Sequence, residues 1–196
     1  NFRLLLDGKK PYWIPKWGLM NSDIHEMRPR MNPDNVANRQ FFDGGARPEY
    51  ENLPITVKGL FGLEWEYVVE AGGATVHPGN PMVTDIDHWR EQVKELPDIN
   101  DLDWESFEKE NQEYLSSNKY NILGIQCSLW ERLMALMDVE EACVAIIDED
   151  QEDGVKDFFD WYSDYLVAYI GKAKDIFPQL DGVLLHDDWA HQLGPF

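Results

Sequence analysis

Two cysteines in 196 residues are too few for a disulfide framework. A reducing cytoplasm is therefore the expected setting. No apolar run approaches the roughly 18–20 residues needed to cross a bilayer. The opening "NFRLLLDGKK" holds one short apolar patch before two lysines, too little for a secretory signal. Cations are scarce: 17 Lys and Arg stand against 37 Asp and Glu, for a net charge of −20. Such a field repels phosphates and anionic lipid, which argues against nucleic acid and membrane surfaces as partners. Repeats and low-complexity tracts are also missing, so solenoid and linker readings fall away.

What is present is a globular composition, 43% hydrophobic and 13% aromatic, enough to bury a sizeable core. Residues 1–8 read as a short helix, and "YWIPKW" (12–17) as a strand interrupted by Pro15. Residues 18–54 are rich in Pro, Asn and Gly without clean periodicity, a pattern more often functional than filler. The relative basic excess at 25–47, with His25, Arg28, Arg30, Arg39 and Arg47, is a candidate site for an anionic ligand. Trp65, Tyr67 and Val69 alternate with glutamates, Gly72-Gly73 supplies turn chemistry, and Thr75-Val76-His77 follows, so 63–81 is expected to be a β-hairpin.

From Asp103 onward the pattern changes. Asp103 caps a helix expected over 104–118, and "NILGIQC" (121–127) reads as a buried strand. Ser128 is the expected cap of the next helix, whose apolar content is Leu129, Trp130, Leu133, Met134 and Met137. Val139, Ala142, Cys143, Ile146 and Ile147 form another helical stripe, and Cys143 reads as core. A long amphipathic helix is predicted from 154 to 177, ended by Pro178. The apolar "DGVLLHDD" is then a second strand. Two apolar strands separated by so much helix cannot form a hairpin, so they should be parallel, joined by a crossover. The chain thus divides into an irregular opening (1–56), a hairpin region (57–103) and a helix–strand–helix–strand region (104–196), within one domain.

In parallel sheets and (β/α) barrels, ligands gather at the carboxyl ends of strands. That end of the second strand carries His186, Asp187, Asp188, Trp189, His191 and Gln192. His186 and Asp188 share one side of an extended chain and Asp187 takes the other, so only part of the cluster can enter a site. The spacing is not a metal signature. Adjacent acids can split their pKa values; equally, Asp188 can cap a turn, Trp189 can pack and His191 can be solvated. Cys127, ending the first strand, reads as a small buried hydrophobe. Trp17, Met20, Trp65, Trp130 and Trp189 could line an aromatic pocket but read first as core. His77, at the end of the hairpin, reads as solvated.

"DGVLLHDDWAHQ" (181–192), preceded by a long helix, resembles the Asp-Asp-x-Gly-x-Gln segment of the uroporphyrinogen decarboxylase superfamily, in its methyltransferase-like branch. "LFGLEWEYVVEAGGATVHPGNPMVTDIDHWREQVKELPDINDLDW" (60–104) resembles that branch's Phe-Gly-x-x-Trp segment, hairpin and Asp-Trp run. "SLWERLMALMDVEEACVAI" (128–146) resembles its Phe-Glu-Arg helix pair.

The resemblance implies an α/β fold, the (β/α)8 TIM barrel, of which this chain covers the amino-terminal half. The stop after Phe196 then reads as truncation or a split gene, with the missing carboxyl-terminal barrel half or another copy of the chain as expected partner. It further implies movement of a methyl group between a corrinoid (cobalamin), carried by a partner corrinoid protein, and a thiol or folate acceptor. Zinc belongs to some members of this branch, through ligands that would lie outside this chain. Asp187 and Asp188 are expected to orient the bound substrate or cofactor rather than ligate metal. His186, Trp189, Gln192, Trp17, Met20 and Trp65 are the expected binding residues. The decarboxylase branch is the alternative, through Arg28, Arg30 or Arg39, although "IPKWGLMNSD" (14–23) offers Lys16 without that branch's arginine pair and "ENLPIT" (51–56) lacks its Asp. A non-catalytic half-barrel that binds a partner protein is a second alternative.

Overall fold

The computed structural model describes residues 1–15, 23–27, 56–58, 60–68, 73–93, 96, 98–115, 117–125, 127–191 and 194–195. Helix α1 spans Phe2–Leu6 and strand β1 spans Ile24–Met27. Strands β2 (Thr56–Lys58), β3 (Glu64–Val68) and β4 (Gly73–Val76) follow, then α2 (Trp89–Gln92) and α3 (Trp104–Leu115). The remainder is β5 (Tyr120–Ile125), α4 (Leu129–Met137), α5 (Val139–Ala145), α6 (Glu152–Ile176), β6 (Gly182–Leu185), β7 (Ala190–His191) and β8 (Gly194–Pro195).

A parallel sheet of order β1-β5-β6 forms the frame. The β5–β6 pairing, with Ile122 opposite Gly182 and Ile125 opposite Leu185, is the parallel pair expected from the sequence. The expected hairpin is β3–β4, with Trp65 opposite Val76 and Val68 opposite Gly73. Strand β2 joins it as a third antiparallel member through Val57 opposite Trp65.

The expectation of a half (β/α)8 barrel is overturned. Half a barrel requires a run of parallel strands, each followed by its own helix. The described residues hold three parallel strands, and an antiparallel three-stranded sheet falls in the sequence between β1 and β5. Among the described residues the architecture is mixed α/β with a small parallel sheet and no half-barrel. The strand expected at 12–17 is not seen over 12–15, where Tyr12, Trp13 and Ile14 are exposed. Aromatic and β-branched residues favour strands only where a neighbouring strand takes their hydrogen bonds.

The core lies around α6, whose Val155, Phe158, Tyr162, Leu166, Tyr169 and Ala173 are buried at helical spacing. Leu133 and Leu136 of α4, Leu123 and Ile125 of β5, and Phe177 are wholly buried with them. Aromatic edges add directionality: Trp89 meets Phe158 at 5.2 Å and 85°, and Phe107 meets Phe177 at 5.0 Å and 88°. Helix α3 starts where the sequence places it, because the Asp103 carboxylate accepts the Ser106 N–H at 3.1 Å. At the amino ends of β5 and β6, Asp181 acts as a tie. Its carboxylate accepts the Asn121 N–H at 2.9 Å and pairs with Arg3 of α1, while its carbonyl accepts the Tyr120 hydroxyl at 3.0 Å. Among the described residues no helix is long and apolar enough to cross a membrane.

Candidate functional site

The carboxyl ends of β5 and β6 are held together beyond the strands themselves. The His186 N–H donates to the Ile125 carbonyl at 2.9 Å, and the Ser128 N–H donates to the His186 carbonyl at 3.0 Å. Between β5 and α4, Cys127 adopts φ 53°, a left-handed conformation costing a non-glycine residue about 1 kcal/mol or more. The chain turns sharply there and enters α4 alongside His186–Trp189.

Ser128, the expected cap of α4, makes no side-chain cap bond. The cap comes from the other strand. Asp187 accepts the Trp130 N–H at 3.0 Å and the Glu131 N–H at 2.8 Å, placing a carboxylate on the positive end of the helix. Its Oδ2 also accepts the Trp189 indole N–H at 3.2 Å. Trp189 in turn stacks on Trp130, with ring centroids 5.3 Å apart and planes 22° from parallel. Trp130 is wholly buried and Trp189 is 47% exposed, so the pair presents one indole surface outward from an anchored base.

Glu131 stands in the first turn of α4 with its side chain largely buried. Its Oε2 lies 3.1 Å from His186 Nδ1. Burial raises the proton affinity of this carboxyl above the ordinary range; the His186 contact opposes that shift, and the Asp187 and Asp188 charges add to it. Asp188 is exposed at the rim. A largely buried carboxyl that holds its proton more tightly, touching an imidazole half-open to solvent, can pass a proton between the site and the outside.

The turn is supported from beneath. The wholly buried Arg132 donates to the Tyr162 hydroxyl at 3.4 Å, and that hydroxyl donates to the Cys127 carbonyl at 3.5 Å. The Arg132 guanidinium lies 5.2 Å from the Phe61 ring centre and 5.4 Å from that of Tyr162. Cys127 is buried, and burial, with the charges of Glu131 and Asp187, pushes its thiol well up, which keeps it protonated. The small-hydrophobe reading of Cys127 therefore holds.

The structure thus brings together His186, Asp187, Asp188 and Trp189 of the expected residues. Asp187 faces the helix, as strand alternation anticipated. Trp65 is elsewhere: it is buried in β3, and its indole nitrogen has no hydrogen-bond partner among the described residues. Trp17, Met20 and Gln192 lie outside the described residues, as do Lys16, Arg28, Arg30, Arg39 and Arg47. His25 on β1 sits 3.0 Å from Asn111 Oδ1, and burial lowers its pKa below the ordinary imidazole value. His77 is exposed beside Glu66 at 3.1 Å. Sequence reasoning missed Glu131. The available signal was an acid in the first turn of a helix that directly follows a buried parallel strand.

A groove of about 790 Å³ runs along α6 past Trp161, Tyr165, Ala168 and Lys172 and includes none of the cluster residues. It is wide and shallow. The strand-end cluster is the better candidate because acid–base groups and an anchored aromatic surface converge there. Among the described residues no group of three His, Cys, Asp or Glu side chains is arranged to hold a metal ion. No protein-family model, curated protein or solved structure matches the chain.

Proposed function

We propose that the chain serves a methyltransferase, moving a methyl group between a corrinoid and a thiol or folate acceptor at the carboxyl ends of β5 and β6. The observation that carries this reading is the Glu131–His186 contact beside the outward indole of Trp189. The motifs at 60–104, 128–146 and 181–192, which resemble the methyltransferase-like branch of the uroporphyrinogen decarboxylase superfamily, support the choice of chemistry. Two of them supply the cluster itself.

A corrinoid brought by a partner protein supplies the methyl group in this reading. The exposed Trp189 indole suits a large flat ligand, because its orientation is already fixed by Asp187 and Trp130. A thiol acceptor must lose its proton as its sulfur takes the methyl group. Glu131, in its ionised form, receives that proton, and His186 passes it to solvent. The corrinoid, when bound, would give up the methyl group and keep the electron pair of the broken bond. Asp188 orients the acceptor from the rim.

The test uses free methylcobalamin and a small thiol, with demethylation followed by cobalamin absorbance. Glu131→Gln should slow the wild-type rate by roughly 100-fold or more, the usual contribution of a positioned acid–base group. A wild-type protein that leaves methylcobalamin unchanged removes the reading. An active wild type matched by E131Q removes only Glu131 from the role.

A further inference from the structure

Asp187 combines three bonds that no spacing in the sequence would link. It reaches the backbone N–H groups of Trp130 and Glu131 on α4 and the indole N–H of Trp189 beyond β6. Each of its partners is itself part of the cluster: Glu131 carries the proton, Trp130 is the base of the stack and Trp189 is its outer surface. An ordinary helix cap is local and touches one or two N–H groups of its own helix. This one arrives from a different strand, 56 residues from Glu131 along the chain. It therefore fixes the distance between α4 and the segment carrying His186.

We infer that Asp187 is the positioning residue of this site: its carboxylate locks the first turn of α4 against Trp189 and so sets where Glu131 and His186 meet. The inference rests on the site reading above. With its carboxylate engaged by these three N–H groups, Asp187 acts through Glu131. Its negative charge also faces the Glu131 carboxyl, together with Asp188 and His186 from the same strand end and the Cys127 thiol from the turn. Asp187 thus holds Glu131 in place and favours its protonated form, two effects that separate on substitution.

Asp187→Asn and Asp187→Ser keep a capping oxygen and remove the charge, whereas Asp187→Ala removes both. The Glu131 titration is read by carboxyl ¹³C NMR and assigned by its disappearance in E131Q. D187N, or D187S should the first not fold, keeps one of the two accepting oxygens, so it should melt between wild type and D187A yet titrate Glu131 at lower pH. D187A should also lose the indole-stacking signature in the near-ultraviolet circular dichroism. A Glu131 midpoint unmoved in all three variants, with only melting affected in D187A, reduces Asp187 to a structural cap and overturns the inference. Because no ligand is present in these measurements, their outcome is independent of whether methyl transfer is observed.

Discussion

Two glycines in α6 should respond to the same substitution with opposite sign. Gly171→Ala meets nothing within 4 Å, so only the helix term operates. Replacing glycine by alanine inside a helix stabilises it by about 0.5–1 kcal/mol, chiefly by restricting the unfolded chain. Gly154 lies in the first turn of the same helix, packed on the turn before α2. An added methyl there would sit 2.5 Å from Asp87 Oδ1 and 3.0 Å from both the carbonyl carbon and oxygen of Ile86. The Asp87 side chain can rotate away. The Ile86 backbone cannot move freely, because its side chain is buried with 1% exposure. Overpacking of this kind costs about 1–3 kcal/mol, which outweighs a propensity gain that is smaller in a first turn. The two variants should therefore differ by roughly 1–3 kcal/mol, with G171A above wild type and G154A at or below it. Urea denaturation followed by tryptophan emission reads this, provided the m-values agree. A G154A protein as stable as G171A would refute the packing of α6 against residues 86–87.

Glu131→Gln should stabilise the fold at neutral pH while impairing the site. The raised pKa of Glu131 means that its contribution to stability is full below the ordinary carboxylate value and is lost as pH rises through the folded value. The E131Q advantage should therefore shrink as pH falls, and a difference independent of pH, read by denaturant midpoints, would contradict it. Alkaline unfolding should begin with the tyrosines of α6, Tyr162 and Tyr169 buried and Tyr165 half-buried. Burial pushes Tyr165 up to about 12 from an ordinary 10.0 and moves Tyr162 and Tyr169 upward as well. Stability present below pH 10 should be lost as pH rises through about 12, with phenolate absorbance from α6 and unfolding appearing together; titration of Tyr162, Tyr165 and Tyr169 near 10 in a folded chain would be the contrary result.

The elements after Asp103 were legible because their signals are local. The stripe of α6 and the apolar run at 122–125 of β5 each declare themselves within a dozen residues. Parallel pairing of β5 and β6 followed from the helical span between them. Strand β1 was not legible, since "IHEM" is four residues long and buries only its ends. Strand β2 is three residues long and exists through its pairing with β3. Barrel closure is a property of strands far apart in sequence, and no local pattern reports it. The site shows the same division. The strand-end position of Asp187 and its turn away from His186 and Asp188 were readable from alternation. That Asp187, and not Ser128, caps α4 depends on a contact between distant segments, as does the meeting of Glu131 with His186 across 55 residues.

The most direct test is where a corrinoid lands. Cobalamin titrated into ¹⁵N-labelled protein should move the Trp189 indole N–H and the Glu131 and His186 resonances together, saturably. Shifts confined to Trp161, Tyr165 and Lys172 along α6, or no saturable shifts at all, would contradict the assignment of the working site to the ends of β5 and β6.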